Sequence, residues 1–155
     1  MSMMTLKNTM REIKFRAWDK EKGIFLKDDS FLISPQYGGV IPWLDNNSTG
    51  FALKDIEIMQ YTGLKDKNSK EIYEGDIVKG IYEVVQSNGE LGGDLKMCGQ
   101  VFYDHSCFSL ECVQSMCDKD RYGMVNYFNF ISDDGEIFSE KEIIGNIYEN
   151  KELLL

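Results

Sequence analysis

The amino-acid sequence predicts an all-β protein with little helix. Fourteen of the 155 residues are glycine and only two are proline. The apolar residues fall in many short stretches separated by turn residues, which is typical of sheets joined by tight turns. A hydrophobic content of 43% and an aromatic content of 12% belong to a folded globular chain. We therefore expect one small barrel-like domain of roughly seven to nine short strands.

The first patterned segment, "REIKFRAWD" (11–19), alternates as a half-buried strand does. Its pattern predicts Ile13, Phe15 and Ala17 on the inward face. The polar turn 19–23 and the strand "IFLK" (24–27) complete a predicted β-hairpin. Before this hairpin, residues 1–9 are polar and show no period, so they are predicted to be a flexible extension.

The middle of the chain is predicted to alternate between loops and strands. Residues 34–50 hold both prolines and read as a long loop, with a short strand around 40–44. "LKDIEIMQYTG" (53–63) is a predicted strand, and two further strands are predicted around Gly75. The segment 86–99 is rich in glycine and lacks a period, so it is predicted to be a loop or a mobile hairpin tip.

The later part supplies more strand material. "QVFYDHSCFSLECV" (100–113) predicts two strands around a turn at 104–106, and the aromatic segment 124–131 predicts another strand. The polar segment 114–123 between them has the composition of one helical turn, and "SDDGE" (132–136) is a predicted turn.

The C-terminal segment 139–154 allows two interpretations. Ser139 and Glu142 fit the capping box that begins a helix. Gly145 and the β-branched isoleucines instead favour a short turn, a strand and a brief terminal helix. The second interpretation is the one we prefer.

The charge of the chain is uneven. The net charge is −9, and residues 1–27 carry seven Lys/Arg against three Asp/Glu, so the remainder is strongly acidic. Phosphate contacts dominate nucleic-acid affinity, so such an acidic body is a poor partner for DNA or RNA. The sequence contains no run of about 20 apolar residues, so no membrane span is predicted. No apolar signal segment is visible at the start. We expect a cytoplasmic protein with reduced cysteines.

No catalytic or metal site is predicted. His105, the sole histidine, lies between Asp104 and Ser106 and close to Cys107, but a turn histidine beside a core cysteine explains it better than a catalytic pair. The phosphate-binding, nucleophile-elbow and zinc-protease motifs are absent. The cysteines contain no closely spaced pair of the kind that structural zinc sites use; they stand at 98, 107, 112 and 117. We predict no cofactor, no metal and no enzymatic activity.

The first strand carries the one basic and aromatic surface that the sequence offers. Lys14, Arg16 and Trp18 share its second face, where a Trp between cations can stack a base or anchor a protein. The alternative is that this face is also covered, with the Lys and Arg stems against the indole, and we favour it. The candidate binding residues are Lys14, Arg16, Trp18, Tyr61 and Tyr73.

The segment 58–80, "IMQYTGLKDKNSKEIYEGDIVKG", is the most ordered part of the sequence. Gly63 and Gly75 suit positions with positive φ, and Asn68 tolerates the left-handed region. Asp76 is predicted to accept hydrogen bonds from local amides. The "GD-I-V" pattern is typical of strand entrances in small SH3-like barrels and indicates architecture, not catalysis.

Four stretches together resemble the YopX family of small phage and prophage proteins. They appear in the order of that family and span about residues 10–155. The stretches are "MREIKFRAWDKEKG" (10–23), "IEIMQYTGLKDKNSKEIYEGDIV" (56–78), "GQVFYDHSCFSLE" (99–111) and "EIIGNIYENKELL" (142–154).

The resemblance implies a single β domain over 10–155. It implies an N-terminal β region at about 10–62, followed by an SH3-type roll at about 63–155. It also implies a phage or prophage origin and a location in the host cytosol. The family supplies no active site that could be carried over to residues of this chain.

Three functions follow as hypotheses. The first is a non-catalytic binding module whose partner is another protein or a second copy of the chain. The second is a nucleic-acid-binding β-barrel that uses the basic N-terminal hairpin, and the third is an enzyme of unknown type built on His105. The sequence predicts no membrane contact and no small-molecule ligand.

Overall fold

The computed structural model describes residues 12–27, 30–34, 39–42, 55–85, 91–104, 107–112, 127–129 and 138–154. Over these residues the protein is nearly all-β, with eleven strands against the expected seven to nine and one short 3₁₀ turn. The elements in chain order are β1 (Phe15–Asp19), β2 (Ile24–Phe25), β3 (Phe31–Ser34), β4 (Gly39–Pro42), β5 (Ile56–Lys65), β6 (Glu71–Tyr73), β7 (Asp76–Val85), β8 (Leu91–Asp104), β9 (Cys107–Cys112), β10 (Tyr127–Asn129), β11 (Phe138–Asn146) and the 3₁₀ turn Lys151–Leu154.

The strands form three antiparallel sheets. A four-stranded sheet has the order β2-β1-β5-β6, and β3 pairs with β4 in a separate hairpin. The five-stranded sheet has the order β10-β9-β8-β7-β11 and curls into a half-barrel. In that sheet β7 to β10 follow one another, and β11 returns to pair with β7.

Each end of the fold has its own apolar core. The larger core centres on Ile72, Val78 and Val101, which are fully buried, and it joins β6 to the five-stranded sheet. The smaller core places Ala17 of β1 against Phe31 and Val40 of the β3–β4 hairpin. Burying one such large side chain contributes about 1.5–3 kcal/mol, so the two cores hold the sheets together.

The predicted first hairpin is confirmed, but its inward face is only partly as predicted. β1 pairs with β2, with Trp18 opposite Phe25. Ala17 is buried, whereas Ile13 is 69% exposed and Phe15 is 36% exposed. The β3–β4 hairpin accounts for this difference because it packs on Ala17.

The prediction of a loop or a mobile hairpin tip over 86–99 was wrong for residues 91–99, and residues 86–90 lie outside the described residues. These residues form the first part of β8 and pair with β7, for example Lys96 with Ile81. On the other side of β8, Gly99 allows the close approach of β9, because an added Cβ would lie 2.5 Å from the Glu111 carbonyl oxygen. The neighbouring strands impose the extended conformation here, so the segment needs no hydrophobic period of its own.

The turn between β5 and β6 attaches to the edge of the five-stranded sheet. The Asp66 carboxylate accepts hydrogen bonds from the amides of Asn68 (2.8 Å), Lys70 (2.9 Å) and Ile143 (3.3 Å). The Lys67 amide donates to the Lys141 carbonyl at 2.7 Å. The turn therefore occupies backbone groups of β11 that would otherwise be open for pairing with another strand.

The backbone φ angles test three predictions, two for glycines and one for an asparagine. Gly63 and Gly75 have φ of 90° and 77°, as predicted. The left-handed residue of the intervening turn is Ser69, with φ of 66°, and not Asn68. Asp66 explains the difference because its carboxylate holds the amide of Asn68 in an Asx turn, which moves the positive φ to the following residue.

The C-terminal segment contains the predicted strand, β11, and a brief terminal 3₁₀ turn, but the turn at 147–149 follows the strand and does not precede it. The predicted extension 1–9, the helical turn in 114–123, the turn 132–136 and His105 lie outside the described residues. Within the described ranges, no helix is long and apolar enough to cross a bilayer.

Candidate binding site

Arg16 of β1 reaches the first residue of β7 and joins the two larger sheets. Its Nη2 lies 2.7 Å from Oδ1 of Asp76 and donates to the Glu74 carbonyl at 3.1 Å. The other Asp76 oxygen accepts the Tyr73 amide at 2.8 Å, which confirms the predicted capping role. Burial raises the pKa of Asp76, against the opposing charge of Arg16 and the Tyr73 amide.

Two aromatic rings lie close to the Arg16 guanidinium. Its central carbon lies 4.9 Å from the ring centre of Phe25 and 4.9 Å from that of Tyr73. Tyr73 packs on Tyr61 with ring centres 5.4 Å apart, and the Lys14 ammonium lies 5.5 Å from the centre of Tyr61. We call these five residues the aromatic–cation network.

An ion pair closes the open end of this network. Lys14 Nζ lies 2.6 Å from Glu71 and 3.2 Å from Glu12, and the Tyr73 hydroxyl donates to Glu71 at 2.8 Å. The hydrogen bonds from Lys14 and then from Tyr73 lower the pKa of Glu71. The same contact with Glu71, followed by that with Glu12, raises the pKa of Lys14.

Trp18 is buried, with 7% of its surface exposed. Its ring meets Phe25 edge-on at 4.8 Å and stacks on Tyr148 at 5.1 Å with an interplanar angle of 21°. The exposed aromatic on which the binding hypotheses relied in part is therefore a packed residue, and the preferred alternative of a covered second face holds for Trp18. Burial raises the pKa of the Tyr148 hydroxyl.

The structure brings all five predicted binding residues into one region. Four of them belong to the aromatic–cation network, and Trp18 joins it through Phe25. Sequence reasoning missed that Asp76 is the partner of Arg16. The sequence did hold a sign of this partner. Arg16 shares a strand face with the large Trp18 indole, and a guanidinium on a covered face needs a carboxylate beside it.

Most of the basic residues of the hairpin are already paired with acids. Lys20 contacts Glu57, and Lys22 lies 2.9 Å from Asp19. The Lys22 side chain, and then its amide, lower the pKa of Asp19. Of the five basic residues that the structure describes before position 28, four therefore have a carboxylate partner: Lys14, Arg16, Lys20 and Lys22.

A cleft of about 440 Å³ lies beside the Arg16–Asp76 pair. We call it the junction cleft because its walls come from the N-terminal hairpin, the turn before β6, and β11 with the turn that follows it. Its lining residues are Arg16, Phe25, Leu26, Lys70, Asp76, Ile143, Ile144, Gly145, Asn146, Glu149 and Asn150.

Exposed apolar side chains concentrate in the N-terminal part of the described chain. Seven large apolar side chains are exposed among the described residues, and two of them, Tyr103 and Leu154, lie outside this part. The other five, which we call the apolar N-terminal surface, are Ile13, Phe15, Ile24, Leu32 and Ile33.

Comparisons with known proteins place this nearly all-β chain in one family. A family model described as YopX protein matches residues 14–155. The chain belongs to the YopX family.

Two solved structures are similar to it. Protein EF1440 from Enterococcus faecalis is 25% identical, covering 94% of this chain and 100% of that one, with a TM-score of 0.45. Protein YopX from Bacillus subtilis is 19% identical with the same coverage and a TM-score of 0.47. A search of curated proteins found no match.

Proposed function

We propose that this protein is a non-catalytic binding module that acts through a protein partner. As the YopX resemblance implies, it would be a phage or prophage accessory protein working in the host cytosol. The observation that carries the proposal is the apolar N-terminal surface. Single exposed apolar residues are ordinary, but exposed apolar surface is what protein contacts use, and five of the seven exposed large apolar side chains of the described residues lie between positions 13 and 33.

The positions of these residues on their strands support the proposal. Ile13 and Phe15 continue the face of β1 on which Ala17 is covered by the β3–β4 hairpin. On that hairpin Leu32 pairs with Ile41 and points away from Phe31, which faces the smaller core. Both groups of side chains are thus held on paired strands.

The pairing of the basic residues favours a protein over a nucleic-acid partner. Phosphate binding would require Lys14, Arg16, Lys20 or Lys22 to exchange a carboxylate partner for a phosphate. Trp18 would have to leave its stack on Tyr148 before a base could occupy its ring face.

We also propose that the later part of the chain is an SH3-type roll. The return of β11 to the outer edge of β7 supports this, because it places the first and last strands of the five-stranded sheet side by side. The proposed division at about residue 62 stays a prediction, and β5 and β6 pair across it. An experimental structure would test both points.

Substitution of the apolar N-terminal surface tests the binding proposal. We expect Phe15→Ser with Leu32→Ser to abolish recovery of a stoichiometric partner by the tagged protein from phage-bearing cells. For self-association, the same variant would abolish a concentration-dependent increase in mass measured by light scattering.

Leu154→Ser is the matched control, because Leu154 is as exposed as Phe15 but lies in the 3₁₀ turn. Circular dichroism would establish that both proteins remain folded. A strictly monomeric wild-type protein with no stoichiometric partner, or equal recovery by variant and control, would count decisively against the proposal.

A further inference from the structure

We propose that the junction cleft binds an apolar ligand that carries one carboxylate group, such as the C-terminal residue of a peptide or a free apolar carboxylic acid. This goes beyond the proposed partner surface and concerns a different part of the molecule. The volume of the junction cleft, about 440 Å³, is within the usual range for ligand sites, roughly 300–1,000 Å³.

Two cations supply the attraction for the carboxylate. Nε and Nη2 of Arg16 are held by Met59, Glu74 and Asp76. Arg16 lines the cleft while it keeps these partners. Lys70 also lines the cleft and acts electrostatically on Asp76. A carboxylate here would gain charge-assisted hydrogen bonds.

The acidic residues of the cleft limit the charge that the ligand can carry. Asp76 and Glu149 line the cleft together with Arg16 and Lys70, so the four formal charges cancel. A dianionic phosphate would therefore meet two carboxylates without a surplus of cations. A single carboxylate carries half of that charge, so it meets less repulsion from Asp76 and Glu149 and can still pair with Lys70.

The remaining wall explains the apolar part of the ligand. Four apolar residues line the cleft: Phe25, Leu26, Ile143 and Ile144. They provide the apolar lining that ligand sites combine with a few polar groups. A leucine-like side chain beside the carboxylate would remove this surface from water.

Hydrogen bonds within the protein already hold the polar residues of the cleft in place without a ligand. Asn146 Oδ1 accepts the amides of Tyr148 and Glu149, each at 3.0 Å, and its Nδ2 donates to Glu149 at 2.6 Å. The Asn150 side chain accepts the Asn146 amide at 3.2 Å and fills the space where a Cβ at Gly145 would stand. Such preorganisation reduces the entropic cost of binding.

Titration with N-acetyl-leucine, followed by amide chemical shifts in NMR spectra, tests the proposal. We expect shifts at Lys70, Ile144 and Gly145, with a dissociation constant of about 1 mM for a ligand of this size. N-acetyl-leucinamide has nearly the same shape without the charge and should bind at least about tenfold more weakly. An acetylated tripeptide ending in leucine separates the sources: tighter binding than N-acetyl-leucine identifies a peptide terminus, and equal binding identifies a free acid.

Lys70→Gln should weaken binding of N-acetyl-leucine by about two- to fivefold, as expected for one partly exposed ion pair. Lys65→Gln makes the same charge change nearby, outside the cleft, and should leave the dissociation constant unchanged. The proposal fails if no shifts appear up to about 10 mM ligand, if the amide binds as well as the acid, or if both variants behave alike. These outcomes are independent of the partner-binding test, since Phe15 and Leu32 do not line the cleft.

Discussion

The Trp18 indole stacks on the Tyr148 ring, with ring centres 5.1 Å apart and an interplanar angle of 21°. Trp18 belongs to the first strand of the N-terminal sheet, and Tyr148 belongs to the turn after β11. The stack therefore connects the two larger sheets on the same side as the Arg16–Asp76 ion pair.

A double-mutant cycle can measure the energy of this stack. We expect Trp18→Leu and Tyr148→Leu to be coupled by about 0.5–1.5 kcal/mol in the free energy of unfolding, because offset-stacked rings gain that much beyond area burial. Urea denaturation of the wild type, both single variants and the double variant measures the coupling. A coupling below about 0.3 kcal/mol would show that the rings act independently.

Asp76 should make the stability of the protein depend on pH. Burial raises its pKa in the folded state, against the charge of Arg16, so the folded protein holds this proton more tightly than the unfolded chain. Its contribution is complete below the ordinary value of 3.8 and is lost as the pH rises through the raised folded pKa. The free energy of unfolding of wild type minus that of Asp76→Asn should therefore decrease as the pH rises. A difference that increases with pH would contradict this assignment.

Asp66 should show the opposite dependence. Burial raises its pKa, but the amides of Lys70, Ile143 and Asn68 outweigh burial and hold the pKa below its usual value. Its contribution is present above pH 3.8 and is lost as the pH falls through the lowered folded pKa. Asp66→Ala should cost on the order of 2 to 3 kcal/mol at neutral pH, since hydrogen bonds to a buried charged group are lost.

Hydrogen exchange locates this effect. In Asp66→Ala the amides of Lys70 and Ile143 should exchange faster than in the wild type, because their acceptor is gone. The exposed neighbour Lys65 offers a control, and Lys65→Ala should change the free energy of unfolding by no more than about 0.5 kcal/mol. Unchanged exchange at Ile143 would mean that the turn does not hold β11.

Gly75 and Gly63 form a matched pair for the cost of a side chain at positive φ. Alanine at Gly63, with φ of 90°, meets nothing within 4 Å, so only backbone strain of about 1–2 kcal/mol is expected. Alanine at Gly75, with φ of 77°, would also lie 3.3 Å from Ile147. Thermal denaturation should therefore show Gly75→Ala to be the less stable variant. Equal melting temperatures would show that Ile147 moves without cost.

The local parts of the fold could be predicted from the sequence, and the long-range parts could not. Alternation, turn residues and glycine predicted the first hairpin and the strands on either side of Gly75, because these depend on neighbouring residues. The first part of β8 has no such pattern, and β7 determines its conformation.

The same limit applies to the candidate site. Lys14, Arg16 and Trp18 could be assigned to one strand face, and Tyr61 and Tyr73 to one ordered segment. That Arg16 would contact Phe25, Tyr73 and Asp76 depends on how two sheets pack. The exposure of Phe15 likewise depends on how far the β3–β4 hairpin extends over β1. The residues of β1 do not determine that.

The pairing of β11 with β7 has a consequence during protein synthesis. Residue 138 leaves the ribosome after residue 85 by several seconds, at a rate of roughly 5–20 residues per second. During that interval the outer edge of β7 lacks the strand that later covers it. A nascent chain at this stage therefore presents the open edge of β7 as a template for strand addition. A chaperone or a second nascent chain could pair with this edge only during translation, before β11 covers it.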